Sequence, residues 1–253
     1  GGAHMARVAE AVASTESRST DRRDAWWLPP VSVAVGLGVL GLYLTWAAFQ
    51  NANFRFNNYL SPVYSPEVHP KWWPLSPAFL ILLPPAFFRT TCYYYRKAYY
   101  RAFFWDPPAC AVGEPHRKYT GEQKFPFILQ NLHRYAFYLA AFWLIFLWYD
   151  VYEAFKFETG FGIGLGSLAI LASTGTLTLY TASCHSWRHL AGGKLDCFSC
   201  TASARTRHGL WGRVTHLNEH HQLFAWISLF AVTIADVVVR LLAMGVIHDV
   251  RLL

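Results

Sequence analysis

The sequence predicts an all-α integral membrane protein, a bundle of five transmembrane helices. Three observations predict this fold: the composition, five long apolar stretches, and the uneven distribution of lysine and arginine between loops. Of the 253 residues, 54% are hydrophobic, 17% aromatic and only 15% charged, whereas a soluble domain carries about a quarter charged residues. The net charge of +7 is concentrated in particular loops, which indicates membrane topology rather than binding to nucleic acid.

Five stretches are apolar over the roughly 20 residues that a membrane-spanning helix requires. These stretches are approximately residues 28–53, 73–95, 127–150, 160–190 and 220–245. Pro84 and Pro85 predict a kink in the second helix. Residues 1–25 are read as a cloning remnant followed by a polar tail that is disordered or lies on the surface. Residues 26–253 then form a single membrane domain.

Lysine and arginine alternate between the predicted loops. The loop between the second and third helices carries Arg96, Lys97, Arg101, Arg117, Lys118 and Lys124. The loop between the fourth and fifth helices carries Arg188, Lys194, Arg205, Arg207 and Arg213. The loops after the first and third helices are poorer in basic residues, with Arg55, Lys71 and Lys156. Because cytoplasmic loops are rich in lysine and arginine, we expect the N-terminus in the cytoplasm and the C-terminus outside a bacterial plasma (inner) membrane.

Candidate metal ligands are concentrated in the loop between the fourth and fifth helices. His185 and His189 are four residues apart and share one face if the helix continues through them. Cys197 and Cys200 follow as a CxxC turn, and in a reducing cytoplasm metal ligation is favoured over a disulfide. Two imidazoles and two thiolates suit a tetrahedral zinc ion or a Rieske-type [2Fe–2S] cluster. The spacing alone does not distinguish a zinc ion from an iron–sulfur cluster. A third possibility is that these residues bind no metal.

The other cysteines and histidines receive secondary assignments. Cys184 is an alternate ligand, although a buried packing role suits it better, and His220 is a second alternate. Cys92 and Cys110 are predicted to be structural. His133 lies just inside the third helix, where ionisable groups face the bundle interior or a cavity, and a haem-ligand role for it is an alternative.

Two predicted spans contain charged residues near their middle or towards one end. Asp236 and Arg240 are four residues apart on the fifth helix and are predicted to neutralise each other. Arg89 in the second helix is predicted to pair with a carbonyl or an acid, or to extend to the cytoplasmic interface.

The segment SCHSWRHLAGG at the end of the fourth helix, followed by LNEHHQLFAWISLF at the start of the fifth, resembles the membrane-anchor subunit of an actinobacterial, mycobacterial-type succinate dehydrogenase. That subunit is the single-chain anchor of respiratory complex II. The close resemblance covers about residues 180–240. The five-helix plan with a cytoplasmic N-terminus extends it to the rest of the chain with less specificity.

The resemblance implies a flavoprotein subunit that oxidises succinate, an iron–sulfur subunit that carries the electrons to the membrane, and an anchor that passes them to a quinone. In the mycobacterial-type anchor a Rieske-type [2Fe–2S] cluster takes the place of haem b, which favours iron–sulfur over zinc here. The expected cluster ligands are His185, His189, Cys197 and Cys200. The expected quinone contacts are Trp187, His216, Asn218, His220, His133 and Arg134.

Other functions remain open at this point. A haem-bearing anchor of the same complex is one, and a membrane scaffold protein with a structural zinc site is another. A zinc-dependent hydrolase needs an open coordination position and a general base, for which only Glu219 and Asp196 lie nearby, and it is disfavoured. The partners expected are the flavoprotein and iron–sulfur subunits, a quinone and membrane lipid, with no nucleic acid.

Overall fold

The structure, a computed structural model, describes residues 22–105, 107–113, 123–125, 127–158 and 160–251. Most of the predicted N-terminal tail, together with Arg117 and Lys118, lies outside the described residues. The described part is mainly helical. Its α-helices are α1 (Leu28–Gln50), α2 (Ala78–Thr91), α3 (Tyr93–Tyr99), α4 (His133–Ala154), α5 (Leu165–Ala182), α6 (His185–Gly192), α7 (Ala202–Glu219) and α8 (His221–Ala243).

Two small hairpins interrupt the helical fold. The first pairs β1 (Arg55–Phe56) with β2 (Tyr59–Leu60), and the second pairs β3 (Lys156–Phe157) with β4 (Gly160–Phe161), both antiparallel. Each strand has two residues, so the hairpins shape the loops after α1 and α4 without forming a sheet layer.

Four helices in the described part of the chain are long and apolar enough to cross a membrane. They are α1, α5, α8 and the segment Ile128–Ala154, which contains α4. The second predicted span, residues 73–95, is shorter than expected, because α2 has 14 residues and ends at Thr91. Cys92 then has an extended backbone, with φ −66° and ψ 131°, and α3 begins at the next residue.

The predicted fourth span, residues 160–190, is also divided. Helix α5 ends at Ala182, and α6 begins at His185 after Cys184, whose sulfur accepts a hydrogen bond from the Ser186 amide at 3.4 Å. The predicted loop before the fifth span contains another helix, α7, with Thr201 as its N-cap. A hydropathy window does not detect α7, because the helix is polar.

The chain divides into two compact units. The first unit comprises Gly1–Val39 and Tyr93–Gln130, and the second comprises Leu40–Cys92 and Asn131–Leu253. Within the first, Trp26 contacts Trp105 edge-on, with ring centroids 5.4 Å apart. Within the second, α5 packs against both α4 and α8, and α2 packs against α4.

The predicted ion pair on α8 is confirmed and belongs to a buried network. Arg240 Nε donates to Asp236 Oδ2 at 2.8 Å, and the guanidinium also donates to the carbonyls of Ala47 and Ala52, at or just after the end of α1. Asp236 accepts from the Tyr43 hydroxyl at 2.6 Å. Asp236 is 0% exposed and Arg240 is 4% exposed. The network therefore ties α8 to the C-terminal end of α1.

Candidate metal centre

The four expected cluster ligands do not converge in the structure. His185 and His189 share one exposed face of α6, with their Nε2 atoms 2.9 Å apart. Partial burial, followed by the neighbouring His189, lowers the pKa of His185. Cys197 and Cys200 are joined in a disulfide, because the CxxC turn brings the two sulfur atoms together. Within the described ranges, no three His, Cys, Asp or Glu side chains surround one point as ligands of a single ion would.

Three of the expected quinone contacts lie on the surface. His216 and His220 are exposed near the end of α7, and the His216 ring lies 3.5 Å from the Glu219 carboxylate. His220 Nδ1 is 3.3 Å from the carbonyl oxygen of His216. Arg134 is exposed at the start of α4.

Two further expected quinone contacts, Trp187 and Asn218, make contacts near the ends of helices. Trp187 on α6 stacks on Phe137 of α4, with ring centroids 6.2 Å apart. The Asn218 amide donates to the carbonyl oxygen of Ser183 at 2.8 Å. Asn218 thereby fixes α7 to the segment that carries Cys184.

Two other cysteines and two histidines meet where four helices end. Cys92 and Cys184 come directly after α2 and shortly after α5, whereas His133 and His221 are the first residues of α4 and α8. Cys184 Sγ lies 3.2 Å from His133 Nε2, and Cys92 Sγ lies 3.4 Å from His221 Nε2. Cys92, Cys184 and His221 are each no more than 1% exposed. We refer to Cys92, His133, Cys184 and His221 as the cysteine–histidine ring.

Two hydroxyls orient the imidazoles of the ring. Thr91 Oγ1 lies 2.8 Å from His133 Nδ1, and Ser183 Oγ lies 2.7 Å from His221 Nδ1. Each hydroxyl donates its own proton to a carbonyl of the preceding helical turn, at 2.7 and 3.0 Å. The hydrogen-bond network therefore assigns the ring proton to Nδ1 in both histidines. The Nε2 lone pair of each imidazole then faces a thiol.

The ring is built from two similar halves. Residues 88–92 read FRTTC and residues 180–184 read YTASC, so that each half has an aromatic residue, a hydroxyl and a cysteine at the same spacing. Phe88 stacks on His133 at 5.0 Å, and Tyr180 stacks on His221 at 4.9 Å. The backbone at Cys92 (φ −66°, ψ 131°) nearly matches that at Cys184 (φ −64°, ψ 140°). This repeat is the signal in the sequence from which the ring was detectable.

Burial favours the protonated form of the Cys184 thiol. Burial raises the pKa of the Cys184 thiol to about 11, with a smaller contribution from the nearby Cys92. At neutral pH the Cys184 S–H therefore donates to His133 Nε2. Cys92 was expected to be structural, but its sulfur lies against His221 because α2 stops one residue before it.

The donor set of the ring fits a metal group. Two cysteine sulfurs and two imidazoles are the ligands of some structural zinc sites and of Rieske-type [2Fe–2S] clusters. The hydrogen bonds from Nδ1 to Thr91 and Ser183 are the outer partners that metal-bound histidines use. The four donors lie in two pairs, each of one thiol and one imidazole, rather than around one point.

We predict that Thr91→Val and Ser183→Ala each weaken retention of bound metal by about 10- to 100-fold, because each change releases one imidazole. The measurement is the metal content after graded exposure to a chelator. Thr90→Val is the matched control, since the Thr90 hydroxyl bonds a backbone carbonyl on an exposed side of α2. Equal metal loss in the Thr90 and Thr91 variants would contradict the orienting role.

Comparisons with known proteins agree with the resemblance in the sequence. The family model described as actinobacterial succinate dehydrogenase subunit SdhC matches residues 28–245. Among solved structures, a chain of the Mycobacterium smegmatis Sdh1 complex in the apo form is 40% identical, with a TM-score of 0.83. The alignment covers 93% of this chain and 95% of that chain. No curated protein sequence matches. This chain therefore belongs to the actinobacterial succinate dehydrogenase subunit SdhC family and is a multi-pass membrane subunit of a bacterial succinate dehydrogenase complex.

Proposed function

We propose that this subunit relays electrons from the iron–sulfur subunit of succinate dehydrogenase to a membrane quinone. The proposal places a Rieske-type [2Fe–2S] cluster on the cysteine–histidine ring. When bound, the cluster would supply one-electron transfer, at a potential raised by neutral imidazoles in place of thiolates. The observation that supports this most strongly is the pair of sulfur–imidazole contacts at 3.2 and 3.4 Å between buried residues.

The ring is a better cluster site than the predicted loop. Its four ligands come from the ends of four helices that pack together, so the fold holds them in place. Its histidines have outer hydrogen-bond partners. By contrast, His185, His189 and Cys200 are exposed, and Cys200 is bonded to Cys197. A buried site also excludes water from an electron carrier, which helps to set its potential.

The ring end of the second unit is assigned to the cytoplasmic side. The segments that join the chain at this end, residues 93–130 and 185–220, are the ones richest in lysine and arginine. By the positive-inside rule they are cytoplasmic. The N-terminus is then cytoplasmic and the C-terminus outside, with α2 as the fifth membrane helix. In this orientation the ring would face the soluble flavoprotein and iron–sulfur subunits.

Trp187 is the expected quinone contact that the aromatic packing favours. Phe88, which stacks on His133, contacts Phe137 at 6.3 Å, and Phe137 stacks on Trp187 at 6.2 Å. A quinone head group against Trp187 would therefore lie a short aromatic path from the ring. The indole N–H offers a hydrogen-bond donor to a quinone oxygen.

A structural zinc ion is the second candidate occupant. The same donor set, two thiolates and two imidazoles, is common at structural zinc sites, and such a site would stabilise the anchor without carrying electrons. A haem would use the two imidazoles and leave both thiols without a role. Iron, acid-labile sulfide and zinc measured in the purified complex distinguish the occupants.

We predict that His133→Ala separates the two activities of the assembled complex. Succinate oxidation measured with a soluble dye is retained, because it does not pass through the anchor. Succinate:quinone reduction falls by more than the roughly 10- to 100-fold that loss of an outer partner costs. His208→Ala, a change on α7 away from the ring, is the control. Co-purification of all subunits verifies assembly, and quinone reduction at the control rate would refute the proposal.

A further inference from the structure

Arg89 is a charged residue next to the cysteine–histidine ring, and it is not one of the four residues of the ring. It lies in the last turn of α2, three residues before Cys92. Its guanidinium donates to the carbonyl oxygen of Ala225 at 3.1 Å and to Ser228 Oγ at 2.9 Å. The Ser228 hydroxyl in turn donates to the Ala225 carbonyl at 3.1 Å, so its lone pair is available to Arg89. The charge is therefore held in a fixed position against α8.

That position is close to His221. The guanidinium carbon lies 4.8 Å from the centroid of the Tyr180 ring, and Tyr180 stacks on His221 at 4.9 Å. Ala225 is one helical turn after His221, about 6 Å along the axis of α8. Tyr180 thus lies between Arg89 and the His221 imidazole. The Arg89 guanidinium is close to the cysteine–histidine ring on the side where α8 begins.

A fixed positive charge at this distance favours the reduced state of a one-electron carrier. Reduction adds one negative charge, and a cation stabilises that charge more strongly in a partly buried, low-dielectric site than in water. Arginine keeps its charge at all physiological pH values. Cluster potentials respond to net charge and to surrounding groups, so the effect appears as a higher reduction potential.

We propose that Arg89 is a positioning residue whose charge raises the reduction potential of the [2Fe–2S] cluster, and this inference depends on the proposed function. The Arg89 guanidinium would attract the negative charge that the cluster gains on reduction, with Tyr180 and His221 lying between the two groups. A purely structural Arg89 would link α2 to α8 through its hydrogen bonds and leave the potential unchanged.

Substitutions at two positions separate charge from hydrogen bonding. Arg89→Met removes both, whereas Arg89→Lys keeps the charge but loses the paired donors. Ser228→Ala removes one acceptor without changing charge. Ser228→Asp keeps the arginine but places a carboxylate against it, so that the local charge is neutralised. Arg213→Met is the control, since Arg213 is an exposed arginine on α7.

The experiment is a redox titration of the purified complex, followed by the EPR signal of the histidine-ligated cluster. We expect a shift to lower potential in Arg89→Met and in Ser228→Asp, with Arg89→Lys, Ser228→Ala and Arg213→Met close to the wild type. If Arg89→Met does not assemble, Ser228→Asp decides. Wild-type potentials in Arg89→Met and Ser228→Asp, or an equal shift in Arg89→Lys, would overturn the inference. A wild-type complex without this cluster signal would instead refute the proposed function.

Discussion

Cys184→Ala is expected to remove the [2Fe–2S] cluster from the anchor and to reduce succinate:quinone activity by at least about 100-fold, more than an outer-partner change would. The Cys184 sulfur is buried against His133 Nε2 at 3.2 Å, and no solvent ligand can replace it there. Cys92→Ala is expected to have the same effect through His221. Iron and sulfide per complex, the EPR signal and the ratio of quinone to dye activity are the measurements.

The matched controls for these variants are changes at the other three cysteines. Cys110 is exposed and Cys197 and Cys200 form a disulfide on the loop between α6 and α7. Alanine at any of these positions is expected to leave the cluster signal in place. If the signal survives in Cys92→Ala and Cys184→Ala but disappears in Cys197→Ala or Cys200→Ala, the ligands are those of the loop and the ring assignment is wrong.

Asp236→Ala is expected to lower the free energy of unfolding by about 3–5 kcal/mol, the usual cost of leaving one member of a buried ion pair without its partner. Arg240 stays buried with its charge uncompensated, and Tyr43 loses its acceptor. The measurement is the unfolding midpoint of the purified protein in detergent. Asp236 is 15 residues after His221 on α8, roughly 22 Å along the helix, so the ring is expected to keep its properties in the folded fraction.

A surface pair provides the comparison. Glu153 and Lys156 form an ion pair at 2.7 Å with both side chains partly exposed, and Glu153→Ala is expected to cost no more than about 1 kcal/mol. The double change Asp236→Leu with Arg240→Met is expected to recover much of the loss, since an apolar replacement avoids the buried charge. An Asp236→Ala protein as stable as Glu153→Ala would contradict the buried network.

Much of the fold was predictable from composition and hydropathy, because lipid-facing helices must be long and apolar whatever their neighbours are. The two breaks in the predicted second and fourth spans were not predictable in this way. Thr91-Cys92 and Ser183-Cys184 are small and only weakly polar, so a hydropathy window passes through them as if each helix continued. Helix α7 was missed for the opposite reason, because its residues are too polar for a span. The family was predictable because the segment from Cys184 to Phe230 carries a specific pattern.

The candidate ligands were only partly predictable. HxxxH and CxxC are local patterns, and they directed attention to a loop where donors lie close in sequence. The ring joins residues 92, 133, 184 and 221, which only the packing of α2, α4, α5 and α8 brings together. His133 was expected to contact quinone and Cys184 was an alternate ligand, whereas Cys92 was assigned a structural role. The repeated FRTTC and YTASC segments were the available evidence for pairing Cys92 with Cys184.

Pulsed EPR of the reduced, purified complex tests whether a histidine-ligated iron–sulfur cluster occupies the ring. With the protein made from ¹⁵N-histidine, we expect a [2Fe–2S] signal with hyperfine coupling to two histidine nitrogens, and loss of that coupled signal in Cys92→Ala and in Cys184→Ala. Clusters ligated only by cysteine lack this coupling. A complex with no histidine-coupled iron–sulfur signal, containing zinc or haem b in its place, would contradict the electron relay at the cysteine–histidine ring.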